Sequence, residues 1–322
     1  MLDEKILTIL RNNRDTHVSS DEMCKVADIS RAAIWKHVEK LRDEGYEIEA
    51  APHHGYRLVA APDSLIPSEI KHGLKTKVLG REILSYKKVD STNTVAYSLA
   101  EKGMKEGAVV LADEQTGGKG RHGRKWASPP KSGIYLSCIL RPDIAPNEIA
   151  GITLLAAVAV AKSIRALTGL DALIKWPNDI LVDGKKVCGI LTEMKAEQDR
   201  VNFVILGIGV NINTKIKHLP KGATSIAEET NKKDGPSRVE FTKNILESLE
   251  REYVLMKKKG FGPVIEEWKE LSAMLGSRVR VVLPNRKIEG VAHDIDRDGA
   301  LVVRFDSGVL EKVLSGDVEM VR

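Results

Sequence analysis

Apolar residues near the N-terminus recur at helical spacing. Ile6, Leu7, Ile9 and Leu10 line one side of a short amphipathic helix. Ser19, followed three residues later by Glu22, is a capping box, and Met23, Val26 and Ala27 continue behind it at helical spacing. Ser30 caps a third helix, whose core face is Ile34, Val38 and Leu41 and which Gly45 ends. The pattern then changes to strands. YEIEA, a break at APHHG, and YRLV predict a β-hairpin. Three helices and a hairpin predict a winged helix-turn-helix over residues 1–62, and AAPDSLIP, with its two prolines, reads as a linker.

From residue 67 the pattern differs in kind. Short apolar runs (AVVLADE, GIYLSCIL, LIKW, DILV, VCGILTEM, VNFVILGIGV) alternate with helical stretches such as ITLLAAVAVAKSIRAL. Asp183-Gly184 between two apolar runs is a hairpin turn. Hairpins mixed with separate helices predict a mixed or largely antiparallel sheet over 67–272, closed by the helices FTKNILESLEREYVLMKKKG and FGPVIEEWKEL. Beyond residue 273, RVRVVL, KIEGVAHDI, ALVVRF and VLEKVL are short strands. Turn signals at Pro284-Asn285, Asp298-Gly299 and Asp306-Ser307-Gly308 separate them, which predicts a five-stranded SH3-like barrel over 273–322. The fold class is α+β multidomain: a winged helix-turn-helix, a central α/β domain with a mixed sheet, and a small β-barrel.

Composition changes this picture locally. Of 322 residues 42% are hydrophobic, enough for real cores, and a net charge of +5 does not by itself require nucleic acid. Residues 1–62, however, carry nine Lys/Arg against eleven Asp/Glu. DNA affinity there has to come from a one-sided patch and from dimerisation. Arg31, Lys36, Lys40 and Arg42 stud the third helix away from its core face, and Ala32 and Ala33 near its start permit close approach to base edges. His53, His54 and Arg57 are placed at the hairpin tip. The alternative is a small helical domain for protein contact. Cys24, Cys138 and Cys188 lack metal-ligand spacing and read as reduced thiols. The longest apolar run, Ile152 to Ala161, is too short to span a bilayer, and MLDEKILTIL has acids where a signal peptide needs positive charge. Both point to a cytoplasmic chain with no membrane partner.

The stretch GGKGRHGRKW, Gly117 to Trp126, packs four glycines and four Lys/Arg into ten positions. Glycines let backbone N–H groups converge on an anion, and Lys119, Arg121, Arg124 and Lys125 supply charge. Two such charges about 4 Å apart repel by roughly 1–4 kcal/mol between water and a protein surface. The loop is therefore expected to stay open until a polyanion such as a nucleoside triphosphate arrives. It is not a Walker A loop, and although Gly118, Gly120 and Gly123 have dinucleotide-fold spacing, no ribose-binding acid follows about twenty residues on. A solvated basic loop or a second nucleic-acid patch is the alternative. Asp90-Ser91-Thr92-Asn93 can cap a helix or hold a small polar head group. Lys175-Trp176-Pro177-Asn178-Asp179 puts a lysine at a strand end, then a proline-fixed turn with an amide and an acid. GIGVNIN, Gly207 to Asn213, ends an apolar strand in close-approach glycines and two amides. Together these give donors for a head group, cations for phosphates and amides for a base or ribose.

DSTN, Q-x-x-G-K-G-R-x-G-R-x-W, K-W-P-N-D, K-x-x-G-I-L and G-x-G-x-N-x-N occur in that order. In this the chain resembles the biotin protein ligases, and with its N-terminal winged helix it resembles the bifunctional subclass that joins a biotin operon repressor to a ligase. The resemblance covers essentially the whole chain. It departs at Lys119, where the family usually has arginine; the charge is kept and the planar fork is lost. The resemblance implies that biotin and ATP, with Mg²⁺, form biotinyl-5′-AMP, which biotinylates a lysine of a carboxyl carrier protein. It also implies operator DNA as a partner and a homodimer promoted by biotinyl-AMP. Ser91, Thr92, Asn93 and Gln115 are then expected to hold the biotin ureido ring or its neighbours. Lys119, Gly120 and Arg121 would line the closing loop, and Lys175, with Arg121, would be the main electrostatic catalyst. Asn178, Lys186, Gly209 and Asn211 rank second, and no metal site of fixed protein ligands is expected. A lipoate or octanoate ligase, a ligand-sensing regulator without ligase activity, and a ligase whose winged helix does not bind DNA are the competing readings.

Overall fold

The structure is a computed structural model that describes residues 2–231, 235–283 and 285–321. The chain divides into two units, residues 1–64 and 65–322. The first contains α1 (Leu2–Asn12), α2 (Ser20–Ala27), α3 (Arg31–Asp43), β1 (Glu47–Ala51) and β2 (Gly55–Ala60). Ser19 Oγ accepts the Glu22 N–H at 3.1 Å and Ser30 Oγ the Ala33 N–H at 3.2 Å, so both predicted caps form. Ile6, Leu7, Leu10, Met23, Ile34, Val38 and Leu41 meet Tyr46 and Leu58 in one core. Val26 does not join them. Met23 and Ala27, four apart, supply the inward stripe of α2, and Val26 is left 59% exposed. Arg57 is not at the hairpin tip either. It lies within β2 opposite Glu49, which it meets at 2.7 Å, and the tip is formed by Pro52, His53 and His54.

The second unit begins with α4 (Pro67–Lys71), β3 (Ile83–Tyr86), α5 (Thr92–Glu101), β4 (Val109–Ala112) and β5 (Gly133–Leu140). It continues with α6 (Ile149–Thr168), β6 (Leu173–Lys175), β7 (Asp179–Val182), β8 (Lys185–Glu197) and β9 (Arg200–Asn211). Then come α7 (Ile226–Thr230), α8 (Arg238–Lys259) and α9 (Gly262–Glu270). The central sheet has the order β3-β4-β5-β9-β8-β7-β6, and only β3 and β4 run parallel. The mixed, largely antiparallel sheet expected from the hairpin signals is therefore present. Asp183 and Gly184 adopt φ of +48° and +69°, the left-handed pair that a two-residue hairpin demands.

Helix α6 packs against α8, α9 and the strands β6–β8. Buried on nearly every side, it can be apolar on nearly every side. The stretch Pro146–Thr168 is in fact long and apolar enough to cross a membrane by length and composition, contrary to the reading from its longest unbroken run. Two thirds of its apolar window is buried inside the protein, which marks it as a core helix.

The C-terminal strands β10 (Arg278–Val282), β11 (Lys287–Ile295), β12 (Leu301–Arg304), β13 (Leu310–Val313) and β14 (Asp317–Met320) form an antiparallel sheet of order β13-β12-β11-β10-β14. The last strand thus returns to pair with the first, as in SH3-like barrels. The turns at Asp298-Gly299 and Asp306-Ser307-Gly308 join β11 to β12 and β12 to β13; the turn expected at Pro284-Asn285 includes Pro284, outside the described residues. Val279, Val281, Ile288, Leu301 and Val303 belong to the same apolar cluster as Trp176 and Trp268. Trp176 Nε1 also donates to the Gly299 carbonyl at 3.0 Å, fastening the β6–β7 turn to the barrel. Leu155, at the centre of α6, is fully buried. Leu155→Ala is expected to destabilise this unit by about 2–5 kcal/mol, read as a lower urea midpoint with an unchanged slope.

Candidate active site

Three glycines make the floor of a cavity of about 290 Å³ on the central sheet. A Cβ on Gly207 of β9 would lie 2.1 Å from Asn93 Oδ1, and one on Gly209 would lie 2.5 Å from Trp126 Nε1. A Cβ on Gly189 of β8 would lie 2.9 Å from the same indole ring. Side chains can lie flat on the sheet there only because those positions lack one.

At one end, Ser91, Thr92 and Asn93 are buried at the start of α5. Ser91 is at the N-cap position, yet no side-chain capping bond forms. The Thr92 N–H and hydroxyl donate to Gln115 Oε1 at 2.8 and 3.1 Å, and Gln115 Nε2 donates to Ser128 Oγ at 2.8 Å. Ser137 Oγ donates to Asn93 Oδ1 at 2.6 Å, and Asn93 Nδ2 donates to Glu193 at 2.6 Å. Sequence reasoning missed Ser128, Ser137 and Glu193. The available signal was Ser137, a polar residue inside the fully buried strand GIYLSCIL. Tyr135 also borders the cavity; burial pushes its hydroxyl pKa up to about 12, so it stays protonated and donates to the Pro129 carbonyl at 2.9 Å.

At the other end lies the glycine-basic loop. It is not held open, as charge repulsion within it alone would require. The Gly120 N–H donates to the Arg124 carbonyl at 2.7 Å and the Trp126 N–H to Gly118 at 2.8 Å, closing a tight hairpin. Its cations find acceptors on distant segments. Arg121 Nη1 donates to Asn178 Oδ1 at 3.1 Å and the Gly316 carbonyl at 3.3 Å. Arg124 pairs with Asp317, and Lys119 faces Glu193 at 3.6 Å. Burial lowers the Arg121 pKa from its usual value, although Asp317 and Asp179 oppose that shift.

The two candidate lysines separate. Lys186, on β8, borders the cavity with its Nζ 2.6 Å from Asp179 and 5.5 Å from the Trp126 ring centroid. Its backbone N–H donates to Gly222 at 3.0 Å and its carbonyl accepts from Thr224 at 2.9 Å. That clip brings Leu219, Pro220 and Ala223 onto the cavity wall. Lys175, at the end of β6, borders instead the neighbouring cleft, with Arg121, Arg124, Asn178 and Asp317. Gly120, Gly209, Asn178 and Asn211 all line the main cavity. Asn178 Nδ2 donates to the Ile190 carbonyl at 2.9 Å. Asn211 is buried; its Nδ2 donates to Thr224, while its Oδ1 has no hydrogen-bond partner among the described residues. Among the described residues, no group of three or more His, Cys, Asp or Glu is arranged to hold a metal. The cavity thus joins a hydrogen-bonding end to a cationic end across apolar walls, the layout of a site that brings a polar head group to an anion.

In the N-terminal unit, Arg31 donates to Asp21 at 2.8 and 2.7 Å and Lys40 to Asp3 at 2.6 Å. Ala32 and Lys36 are exposed on α3, and Ala33 is half-buried.

Residues 85–211 match the biotin/lipoate A/B protein ligase family, residues 3–57 an HTH domain, and residues 274–321 the biotin protein ligase C-terminal domain. The chain is 41% identical to the bifunctional ligase/repressor BirA of Bacillus spizizenii over 94% of both chains. It is 27% identical to the bifunctional ligase/repressor BirA of Escherichia coli over 98% of this chain and 96% of that one. Among solved structures, a biotin protein ligase from Aquifex aeolicus in complex with biotin and ATP superposes with a TM-score of 0.65 at 28% identity, covering 75% of this chain and all of that one.

Asp317→Asn removes the charge that anchors Arg124. Trypsin should then cut after Arg121, Arg124 or Lys125 several-fold faster, as mapped by mass spectrometry of timed digests; an unchanged cleavage pattern would show that the loop does not depend on the barrel.

Proposed function

The chain belongs to the bifunctional ligase/repressor family, and from that premise we propose how its residues divide the work. It is a biotin protein ligase that uses ATP and also represses biotin genes through its N-terminal helix-turn-helix. We assign residues 1–62 to DNA, 67–272 to catalysis, and 273–322 to support of the catalytic loop. The observation that carries the catalytic reading is convergence: DSTN, the glycine-basic loop, the Asn-Asp of K-W-P-N-D, Lys186 and GIGVNIN all border one cavity.

In the first step a biotin carboxylate oxygen attacks the α-phosphorus of ATP, the bond to the β-phosphate oxygen breaks, and pyrophosphate leaves. In the second, the carrier lysine amine attacks the carbonyl carbon of the mixed anhydride, loses a proton, and AMP departs. Mg²⁺ enters with ATP as part of the substrate. Ser91, Thr92, Asn93 and Gln115 orient the biotin head group, the hydrogen bonds of the last three fixing where their donors and acceptors point. Lys186, the lysine on the cavity, is placed for the charge that builds between carboxylate and α-phosphate. Lys175 is placed, with Arg121 and Arg124, for the departing pyrophosphate. That division moves the central electrostatic role from Lys175 to Lys186. The Asn211 side-chain oxygen Oδ1, buried without a partner among the described residues, suits a donor group of the nucleotide. Lys119, Gly120, Arg121 and Trp126 keep water from the anhydride.

The adenylate, held beneath the folded loop, promotes a homodimer that sets two copies of α3 on a two-fold operator in the cytoplasm. Sedimentation should show self-association and tighter DNA binding with biotin plus MgATP, and neither with biotin alone.

Mixing the protein with biotin, MgATP and a carrier domain should add one biotin mass to a single carrier lysine. Lys186→Ala should slow this by about 10²–10³-fold, with Lys175→Ala affecting mainly the ATP-dependent half-reaction. Equal loss in adenylate formation and in transfer from supplied biotinyl-AMP would contradict the Lys175 assignment. Arg121→Gly should release adenylate and label bystander lysines. Pyrophosphate exchange driven by lipoate or octanoate as well as by biotin would favour the rival acyl ligase.

A further inference from the structure

Among the described residues, Trp35 is the one aromatic side chain that is exposed, at 59%; every other Trp, Tyr and Phe is buried or half-buried. Leaving an indole in water forfeits the stabilisation that burial would give. Trp35 stands on α3, outside the stripe of Ile34, Val38 and Leu41 that faces the core. Helical spacing puts it beside Ala32, one turn earlier, and next to Lys36; both are exposed.

Three of the charged or titratable side chains around this face are already engaged. Arg31 is held by both oxygens of Asp21, while Lys40 and His37 share Asp3, each at 2.6 Å. With residues 1–62 at nine Lys/Arg against eleven Asp/Glu, cations alone are a poor basis for choosing among DNA sequences. What α3 presents outward is an apolar plane flanked by a methyl group and a lysine. The base-edge feature that an apolar plane can read in the major groove is the thymine C5-methyl.

Resting on the assignment of the N-terminal unit to operator DNA, we propose that Trp35 is a specificity-determining residue of α3. Its indole packs on thymine methyl groups, Ala32 leaves room for that approach, and Lys36 holds an adjacent phosphate.

The test uses the full chain with biotin and MgATP, a pool of random-sequence duplexes, and sequencing of the DNA retained. The wild-type protein should enrich a site with fixed thymines. Remaking that duplex with uracil at those positions should weaken wild-type binding about tenfold while leaving W35A unaffected. W35A should lose about tenfold or more of its preference for the site over random DNA, with W35F retaining part of it and with an unchanged salt dependence. If W35A enriches the same site with the same positional preferences, or is weakened by uracil as much as the wild type, the Trp35 assignment is wrong and the DNA assignment stands. If the wild type enriches nothing, both fall. A circular-dichroism melt checks that W35A folds; if it does not, W35F and the uracil duplex decide the matter.

Discussion

Arg121 and Arg124 sit three residues apart on a strip of chain rich in glycine, with Lys119 and Lys125 beside them, and they can share that space only because acceptors reach them from far along the sequence. Asn178 comes from the β6–β7 turn, Glu193 from β8, and the Gly316 carbonyl and Asp317 from the barrel. Between them the acceptors engage Arg121, Arg124 and Lys119, so the loop can fold back over the sheet instead of splaying into solvent. Remove the barrel and two of the four contacts go with it. The C-terminal strands are in this sense part of the candidate site's electrostatics, although most of their side chains never reach it.

The sheet beneath solves a complementary problem, which is bulk. An indole and an amide have to lie against strands β8 and β9, and a strand normally projects a side chain into that space every second residue. Gly189, Gly207 and Gly209 clear it. The apolar helix α6 packs against β8 and its neighbours β6 and β7, and the Trp176 hydrogen bond to Gly299 ties the neighbouring turn to the barrel. Burial of two thirds of the apolar window of α6 is what lets one helix serve as the anvil of the whole unit.

Much of this was legible in the sequence because it is local. Caps at Ser19 and Ser30, the Asp183-Gly184 turn and the long apolar runs act within a few residues, and each formed as read. The motif residues at Ser91 to Asn93, Gln115, Asn178 and Asn211 also gather as their types suggested. What failed to show was anything set by residues distant in the chain. Val26 has helical spacing but lies off the stripe that α1 and α3 cover, and Arg57, within the predicted strand YRLV, faces Glu49 across the hairpin and does not reach its tip. β3 is only four residues of mixed character, recognisable by its partner and not by its own pattern. Lys175 and Lys186 look interchangeable as cations in text; only the pairing of β7 with β8 carries one into the cavity and leaves the other in the next cleft.

The side-chain oxygen Oδ1 of Asn211 has a consequence for selectivity. It is fixed by its own amide's bond to Thr224, and it is buried with no hydrogen-bond partner among the described residues. A guest that brings an N–H or O–H to that point gains a hydrogen bond the free pocket lacks, and one of the same outline without it forgoes about 1–3 kcal/mol, roughly one to two orders of magnitude in affinity. The pocket would then sort its guests by rewarding the one that supplies a donor, since a look-alike leaves the oxygen as it was. That kind of filter needs no motion and no editing step, only a fixed polar atom waiting in the wall.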